Sequence, residues 1–404
     1  MGSFDSLRYR NYRILWIGAA LSNVGTWMQS VALSWYVFLL THSPFWVSFV
    51  TFVNFVPTVL SPIGGVFTDR LDRKRILLVT QTLMMVDAAV LTVLAALGRA
   101  SLFAVLALTF GQGLAFALNA PTWQAFIPSL VPPEAMVNAI ALNSAQFSLA
   151  RVIGPALGGT LIVSAGPALV FGFNAGSFLT VLVALSLLRV PRHEPAPDRR
   201  RVLEELAGGL RYTWGERRIR TMIATVAVAS FFGAPITTLL PVYAADVFGR
   251  GAGGFGVMAA AVGAGALIGA LGLGRIGSRV SPGAVAWSMI GMGLALVIFA
   301  LVRLYGAGLA LLTVYGAAYL FSVSGTNGDI QLHVKDALRG RVLSLFMLAF
   351  GASYPLGSLV SGIAAEAWGA RTTTFVGGMA CTVWGLGLVR WWHRMPAEPA
   401  GQSG

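Results

Sequence analysis

Apolar residues run along this chain in long blocks, not in the alternating or one-sided patterns that cover a soluble core. Twelve blocks are readable, at 12–40, 45–68, 76–98, 102–129, 137–165, 168–188, 219–246, 254–275, 282–303, 306–332, 340–367 and 370–392, each closed by charge or by Gly, Pro or Ser. About 20 apolar residues in a helix rise about 30 Å, the thickness of a bilayer's hydrocarbon. The pattern predicts an all-α membrane protein of twelve transmembrane helices. Its longest polar interval divides the chain into an N-terminal six-helix bundle (1–188), a linker (189–218) and a C-terminal six-helix bundle (219–404). In the linker, Leu203, Leu206, Leu210 and Trp214 recur at helical spacing among arginines. That spacing predicts an amphipathic helix on the membrane surface. Arg8, Arg10 and Arg13 precede the first block like the start of a signal peptide. The block is too long and is followed by no small-residue cleavage site, so it reads as a retained first helix.

Composition agrees. Of 404 residues 56% are hydrophobic and 11% charged, against about 25% charged in a soluble domain. The net charge of +13 would suit nucleic acid if it lay on one face. Instead the basic residues sit in clusters between apolar blocks. Arg70, Arg73, Lys74, Arg75, the linker arginines, Lys335, Arg339, Arg341, Arg390 and Arg394 all fall on the side of the termini; only Arg99, Arg250, Arg303 and Arg371 fall on the other. By the positive-inside rule both termini are cytoplasmic. A single cysteine, Cys381, and four scattered histidines, His42, His193, His333 and His393, supply no metal site or disulfide framework. No catalytic motif or nucleotide loop is visible, so the reading carries no enzyme activity, cofactor or nucleic-acid partner.

The halves look like a repeat. Arg10 and Gly25 match Arg218 and Gly233; Gly65 and Arg70 match Gly274 and Arg279; Val131, Phe147, Gly154, Gly159 and Gly166 match Val334, Phe350, Gly357, Gly362 and Gly369, at offsets of 203–209 residues. Parallel six-helix repeats with a site between them are one transporter plan.

The most specific stretch is Gly65-Val-Phe-Thr-Asp69-Arg70-Leu-Asp72-Arg73-Lys74-Arg75, between the second and third spans. It resembles the loop signature of the major facilitator superfamily, with Asp72 where the commonest form has Gly. The resemblance implies a cytoplasmic gate in which Gly65, Asp69, Arg70 and Arg73 meet the helix-11 start near Arg339 and Arg341. A carboxylate at a helix N-terminus would stabilise one of two states. Gly154-Pro155-Ala-Leu-Gly158-Gly159 resembles the helix-5 signature of exporter branches. Thr109 stands where proton-driven exporters carry Arg three residues before Gln112-Gly113. Helix 1, with Arg10-Asn-Tyr-Arg13 and Ser22-Asn23-Val-Gly25-Thr-Trp27-Met-Gln29, resembles the bacterial siderophore and macrolide exporters, as do the Val131-Pro-Pro-Glu134 and Arg339-Gly-Arg341 loops.

Polar groups at membrane depth are costly and are functional candidates. Asn23, Asp87, Gln112 and Arg151 fall near mid-bilayer, and Gln29, Asn54, Asn119, Gln146 and Asn174 lie further from it. Arg151 stays charged, so it needs water or an acid; Asp87 is the candidate pair and a candidate proton carrier. The second half offers Phe231, Phe232, Thr237, Tyr319, Asn327 and Tyr354. With Asn23, Trp27, Gln29, Gln112, Asn119, Gln146 and Arg151 these make a cavity with one polar and one aromatic wall, suited to an amphipathic cargo. Asp246, Asp329 and Glu366 lie near helix ends and read as solvated. The resemblance implies a monomeric secondary exporter in the plasma (inner) membrane of a bacterium, coupled to an ion, the proton, and carrying a drug, siderophore or other metabolite. An importer of a small nutrient on the same fold, and a non-transporting sensor or scaffold, stay open at this point.

Overall fold

The computed structural model describes residues 4–60, 71–188, 210–277, 281–335 and 338–394. Among the described residues there is no strand. The helices are α1 (Arg10–Thr41), α2 (Pro44–Phe55, continued by a 3-10 turn at Val56–Leu60), α3 (Arg73–Ala96), α4 (Leu102–Phe126), α5 and α6 (136–165 and 167–187, within Met136–Leu187), α7 (Arg217–Val247), α8 (Gly251–Ile276), α9 (Pro282–Leu301), α10 (Tyr305–His333), α11 (Arg339–Trp368) and α12 (Ala370–Trp392). All twelve expected spans are present. The end of the second span, with Gly65, Asp69 and Arg70, lies outside the described residues. So do 189–209, and with them most of the expected linker helix; residues 210–215 are helical.

Local chemistry sets the boundaries. Ser43 accepts from the Trp46 amide with Pro44 at the first helical position, Ser101 accepts from Ala104, and Ser281 accepts from Ala284. Each cap satisfies an otherwise orphan amide, a contribution of about 1 kcal/mol. Asp72 caps α3, accepting from the Lys74 and Arg75 amides at 2.9 and 3.2 Å. The residue that departs from the commonest loop signature therefore does the work of starting a helix.

The matched glycines occupy matching places. Gly166 (φ 79°) separates α5 from α6, and Gly369 (φ 84°) separates α11 from α12. Both adopt a backbone conformation that side chains disfavour. Gly154 packs against Trp27 and Val24 of α1, and Gly357 packs against Phe231 of α7. One repeat partner breaks the symmetry: Arg10 is exposed, whereas Arg218 donates to both Asp329 oxygens, at 2.7 and 3.2 Å.

With twelve crossings both chain ends share one face, called here the terminal face; the opposite is the far face. Within the first half α1 packs on α5 and α6, and α3 on α4. Within the second, α9 packs on α12 and α8 on α10. The halves meet chiefly through α5 against α8 and α2 against α11.

Candidate functional site

The α5–α8 contact is a glycine crossing. A Cβ on Gly256 would lie 2.6 Å from the Pro155 carbonyl oxygen and 2.7 Å from the Gly159 Cα. Pro155 has no N–H, so the carbonyl of Arg151, one turn earlier, loses its helical donor. Gly263 of α8 comes against that same carbonyl, its Cβ position 2.6 Å away. The helix-5 signature thus lets two backbones approach where side chains would hold them apart.

Contacts toward the far face complete the closure. The Trp35 ring of α1 stacks on Phe255 of α8 with centroids 6.3 Å apart. Ser48 of α2 and Thr238 of α7 share a hydrogen bond of 3.2 Å, and Gly362 of α11 packs on Ser48 and Phe45. At the outermost turn the Glu366 carboxylate accepts from the Ser43 hydroxyl at 2.7 Å and the Phe45 amide at 3.3 Å. It therefore sits at the N-terminus of α2, where a negative charge is favoured, and ties α11 to the other half. Hydrogen bonds to a carboxylate are roughly twice as strong as neutral ones. Glu366→Gln should raise the population with the far ends of α2 and α11 apart roughly threefold to tenfold. Distances between spin labels at those two ends measure it; an unaltered distribution would remove the latch.

Deeper along these helices each half carries its own group of polar and aromatic side chains. On α5, Phe147, Arg151, Gly154 and Gly158 follow helical spacing on one face, while Leu149, Ile153 and Leu157 on the other are exposed. The Arg151 guanidinium lies over the Trp27 ring, 5.5 Å from its centroid, and Trp27 meets Phe147 edge-on at 5.7 Å. The second half carries tyrosines on α10 and α11. Tyr315 and Tyr319 of α10 stack at 5.9 Å. The Tyr315 hydroxyl donates to the Gly233 carbonyl at 3.2 Å, in the π-helical turn Ala229–Gly233 that opens α7 just before Pro235. Tyr354 of α11 bonds Thr237 at 3.3 Å and meets Phe55 edge-on at 5.0 Å.

The expected residues divide into two groups. Arg151 meets Trp27 in the first half and Tyr354 meets Thr237 in the second, Tyr319 is buried, and Asn23 and Gln112 are half-buried. Gln29, Asn119 and Gln146 are buried in packing within the first half. Asn174 donates to Gln29 at 2.7 Å, Asn119 to Thr80 at 2.9 Å, and Gln146 to the Trp16 carbonyl at 2.6 Å. Phe231 and Phe232 pair edge-on at 4.8 Å, Phe232 being exposed. Asn327 accepts from Gln331 one turn on. Asp87 faces α4, its carboxylate 3.8 Å from the Cβ position of Gly111. Asp87 and Arg151 form no ion pair with each other or with another described residue.

Of the gate residues, Arg73 donates to the Ala125 carbonyl at 3.1 Å in its own half, and Arg339 and Arg341 open α11. Three features escaped the sequence reading. Asp329 and Glu366 read as solvated end residues, but both hold helices together. Tyr315 was passed over, although it sits one helical turn before Tyr319.

Comparison with known proteins places these features. Residues 1–400 match the family described as transmembrane secretion effector, of the major facilitator superfamily. The enterobactin exporter EntS of Escherichia coli O1:K1 / APEC is 28% identical over 338 residues, covering 83% of this chain and 80% of that protein. EntS of Citrobacter koseri is 27% identical over 401 residues, covering 96% and 95%. A bacterial homologue of the lysosomal transporter Spinster, solved inward-facing and unoccupied, shares the fold with a TM-score of 0.76 at 14% identity, covering 97% of this chain and 99% of its own. The helices, their order and the match over nearly the whole length make this chain a multi-pass transporter, not an enzyme, and a member of the transmembrane secretion effector family of the major facilitator superfamily.

Proposed function

We propose that the protein exports a siderophore-like amphipathic small molecule across the bacterial inner membrane by alternating access, driven by the proton gradient. The reading rests on one observation: at mid-membrane the first half holds a cation stacked on an indole and the second half a group of tyrosines, beneath a far-face closure made of contacts that can part. An amphipathic molecule fits such groups because rings stack on Trp27 and the tyrosines while polar atoms reach Arg151 and Thr237. The enterobactin exporters among its relatives favour this cargo class.

On this reading the terminal face is cytoplasmic, in keeping with its basic clusters. Residues 1–188 and 219–404 rock as two bundles about a cleft between them, joined by the 189–218 linker, and the unit is a monomer. In the closed-far-face state cargo enters from the cytoplasm. The gate of Gly65, Asp69, Arg70 and Arg73 against Arg339 and Arg341 would close behind it in the opposite state. Flux in inside-out vesicles tests direction: enterobactin accumulating inside under an imposed proton gradient supports export, and loss of preloaded enterobactin through the protein would overturn it.

Asp87 is the candidate proton carrier, a carboxyl within the membrane with no ion-pair partner among the described residues. Asp87→Asn is expected to lower gradient-driven accumulation at least about tenfold, while exchange of cargo down its own gradient persists. Full accumulation by the variant would eliminate Asp87 from coupling.

A further inference from the structure

Arg151 poses a charge problem that its surroundings leave unsolved. A guanidinium does not deprotonate in a protein, and a permanent cation at mid-membrane is stable only with water or a counter-charge. Its side chain is half-buried, stacked over Trp27 and turned from the lipid face that carries Leu149, Ile153 and Leu157. The nearest mid-depth acid by chain position, Asp87, faces Gly111 on α4 instead. On the second half the polar groups at this depth are phenolic: Tyr315 and Tyr319 stack at 5.9 Å, and Tyr354 bonds Thr237 at 3.3 Å. Phenol hydroxyls can donate to an anion but carry no charge of their own at neutral pH.

The positioning is built from backbone. Gly154 seats α5 on Trp27 of α1, with the Gly154 Cβ position 2.5 Å from the Trp27 Cβ. The Arg151 carbonyl is pinned against Gly263 of α8. Both ends of the cation–π pair are therefore fixed on packed helices, which holds the planar donor fork ready for a bidentate acceptor.

We propose that Arg151 is the anion anchor of the cargo site, so that the exported molecule is an aromatic organic anion. Its carboxylate, sulfonate or phenolate docks on the guanidinium, and its ring lies between Trp27 and the Tyr319–Tyr354 wall. This deepens the export reading above and rests on it. Cationic amphiphiles are excluded by the same charge, and neutral ones lose the anchor while keeping the stacking.

The test uses the full-length protein in nanodiscs and in inside-out vesicles. The probes are 8-anilinonaphthalene-1-sulfonate, 1-naphthoate, ethidium, and N-phenyl-1-naphthylamine, which is the first probe without its sulfonate. Calorimetry against empty nanodiscs is expected to show both anions binding, and the sulfonate binding at least about tenfold more tightly than its neutral counterpart. Arg151→Gln should abolish that difference by weakening the anion at least about tenfold more than the neutral probe. Arg151→Lys, which keeps charge but not the planar stack, should recover part of it. If Arg151→Gln does not fold, the wild-type probe ratio and the Lys variant decide the matter.

Equal binding of the sulfonate and the neutral probe, no binding of either anion, or an Arg151→Gln protein that binds the sulfonate normally would each overturn the anchor. Transport separates the two proposals. If the vesicles accumulate ethidium or the neutral probe, with Arg151→Gln unaffected, export stands and the anion assignment falls. If anions bind through Arg151 but leave preloaded inside-out vesicles instead of entering them, the anchor stands and the export reading falls.

Discussion

Gly256→Val should stop transport while leaving the protein folded. The new Cβ would meet the Pro155 carbonyl at 2.6 Å and the Gly159 Cα at 2.7 Å, and neither is the movable end of a side chain. Overpacking a tight contact costs about 1–3 kcal/mol when side chains can shift, and here two backbones would have to separate. The strain falls between the halves, so the separate bundles survive and only the state with the far face closed is penalised. A protein that cannot close one gate cannot cycle, and turnover is expected to fall at least about 30-fold. Gly256→Ala should give a smaller loss. Gly253→Val is the control, because a Cβ there meets only a Val163 methyl at 3.4 Å. Flux in proteoliposomes, read with spin-label distances across the far face, measures the effect; normal turnover in Gly256→Val would show that the α5–α8 crossing does not close the protein.

Asp329→Asn should produce the largest loss of stability. Asp329 is fully buried, and its two oxygens receive Arg218 at 2.7 and 3.2 Å, the Arg218 side chain being 17% exposed. His333 at the end of α10 bonds the Asp329 carbonyl at 2.8 Å. Breaking a buried pair from one side costs about 3–5 kcal/mol. Removing both, in Arg218→Met with Asp329→Leu, should cost less than the single change because the pair's two charges leave together. Cys381 provides the readout. It is the only cysteine and is fully buried, so a thiol-reactive dye reports unfolding on heating. A midpoint lowered by roughly 10 °C in Asp329→Asn, partly restored in the double variant, is the expected result. A midpoint within about 1 °C of wild type would mean that the pair does not support the fold.

The fold was largely legible in the sequence because the bilayer imposes one length and one solvent on every span. Each of the twelve apolar blocks became a helix. Even the turn between α5 and α6, across which the chain stays apolar, was marked by Gly166-Pro167 and by the matching Gly369. The site was legible only in part, because depth can be counted along a helix and the direction a side chain takes cannot. Arg151 and Gln146 are both polar on α5, yet one stays half-buried over the Trp27 ring and the other is buried against the Trp16 carbonyl. Asp329 and Glu366 misled for a related reason. A residue near a helix end reads as wet until its neighbours are known, and those neighbours, Arg218 and Ser43, lie more than a hundred residues away. Composition hid Tyr315, since one more aromatic in an apolar run carries no signal of its own.

The connections at the far face are short. His42 and Ser43 join α1 to α2, residues 97–101 join α3 to α4, 248–250 join α7 to α8, 302–304 join α9 to α10, and single glycines turn α5 into α6 and α11 into α12. No described segment there is long enough to fold over a departing molecule or to hand it to a carrier. The exit is a bare aperture. Retention of cargo then depends wholly on whether the helices themselves are together, so leakage through this protein is set by packing and not by the timing of a flap.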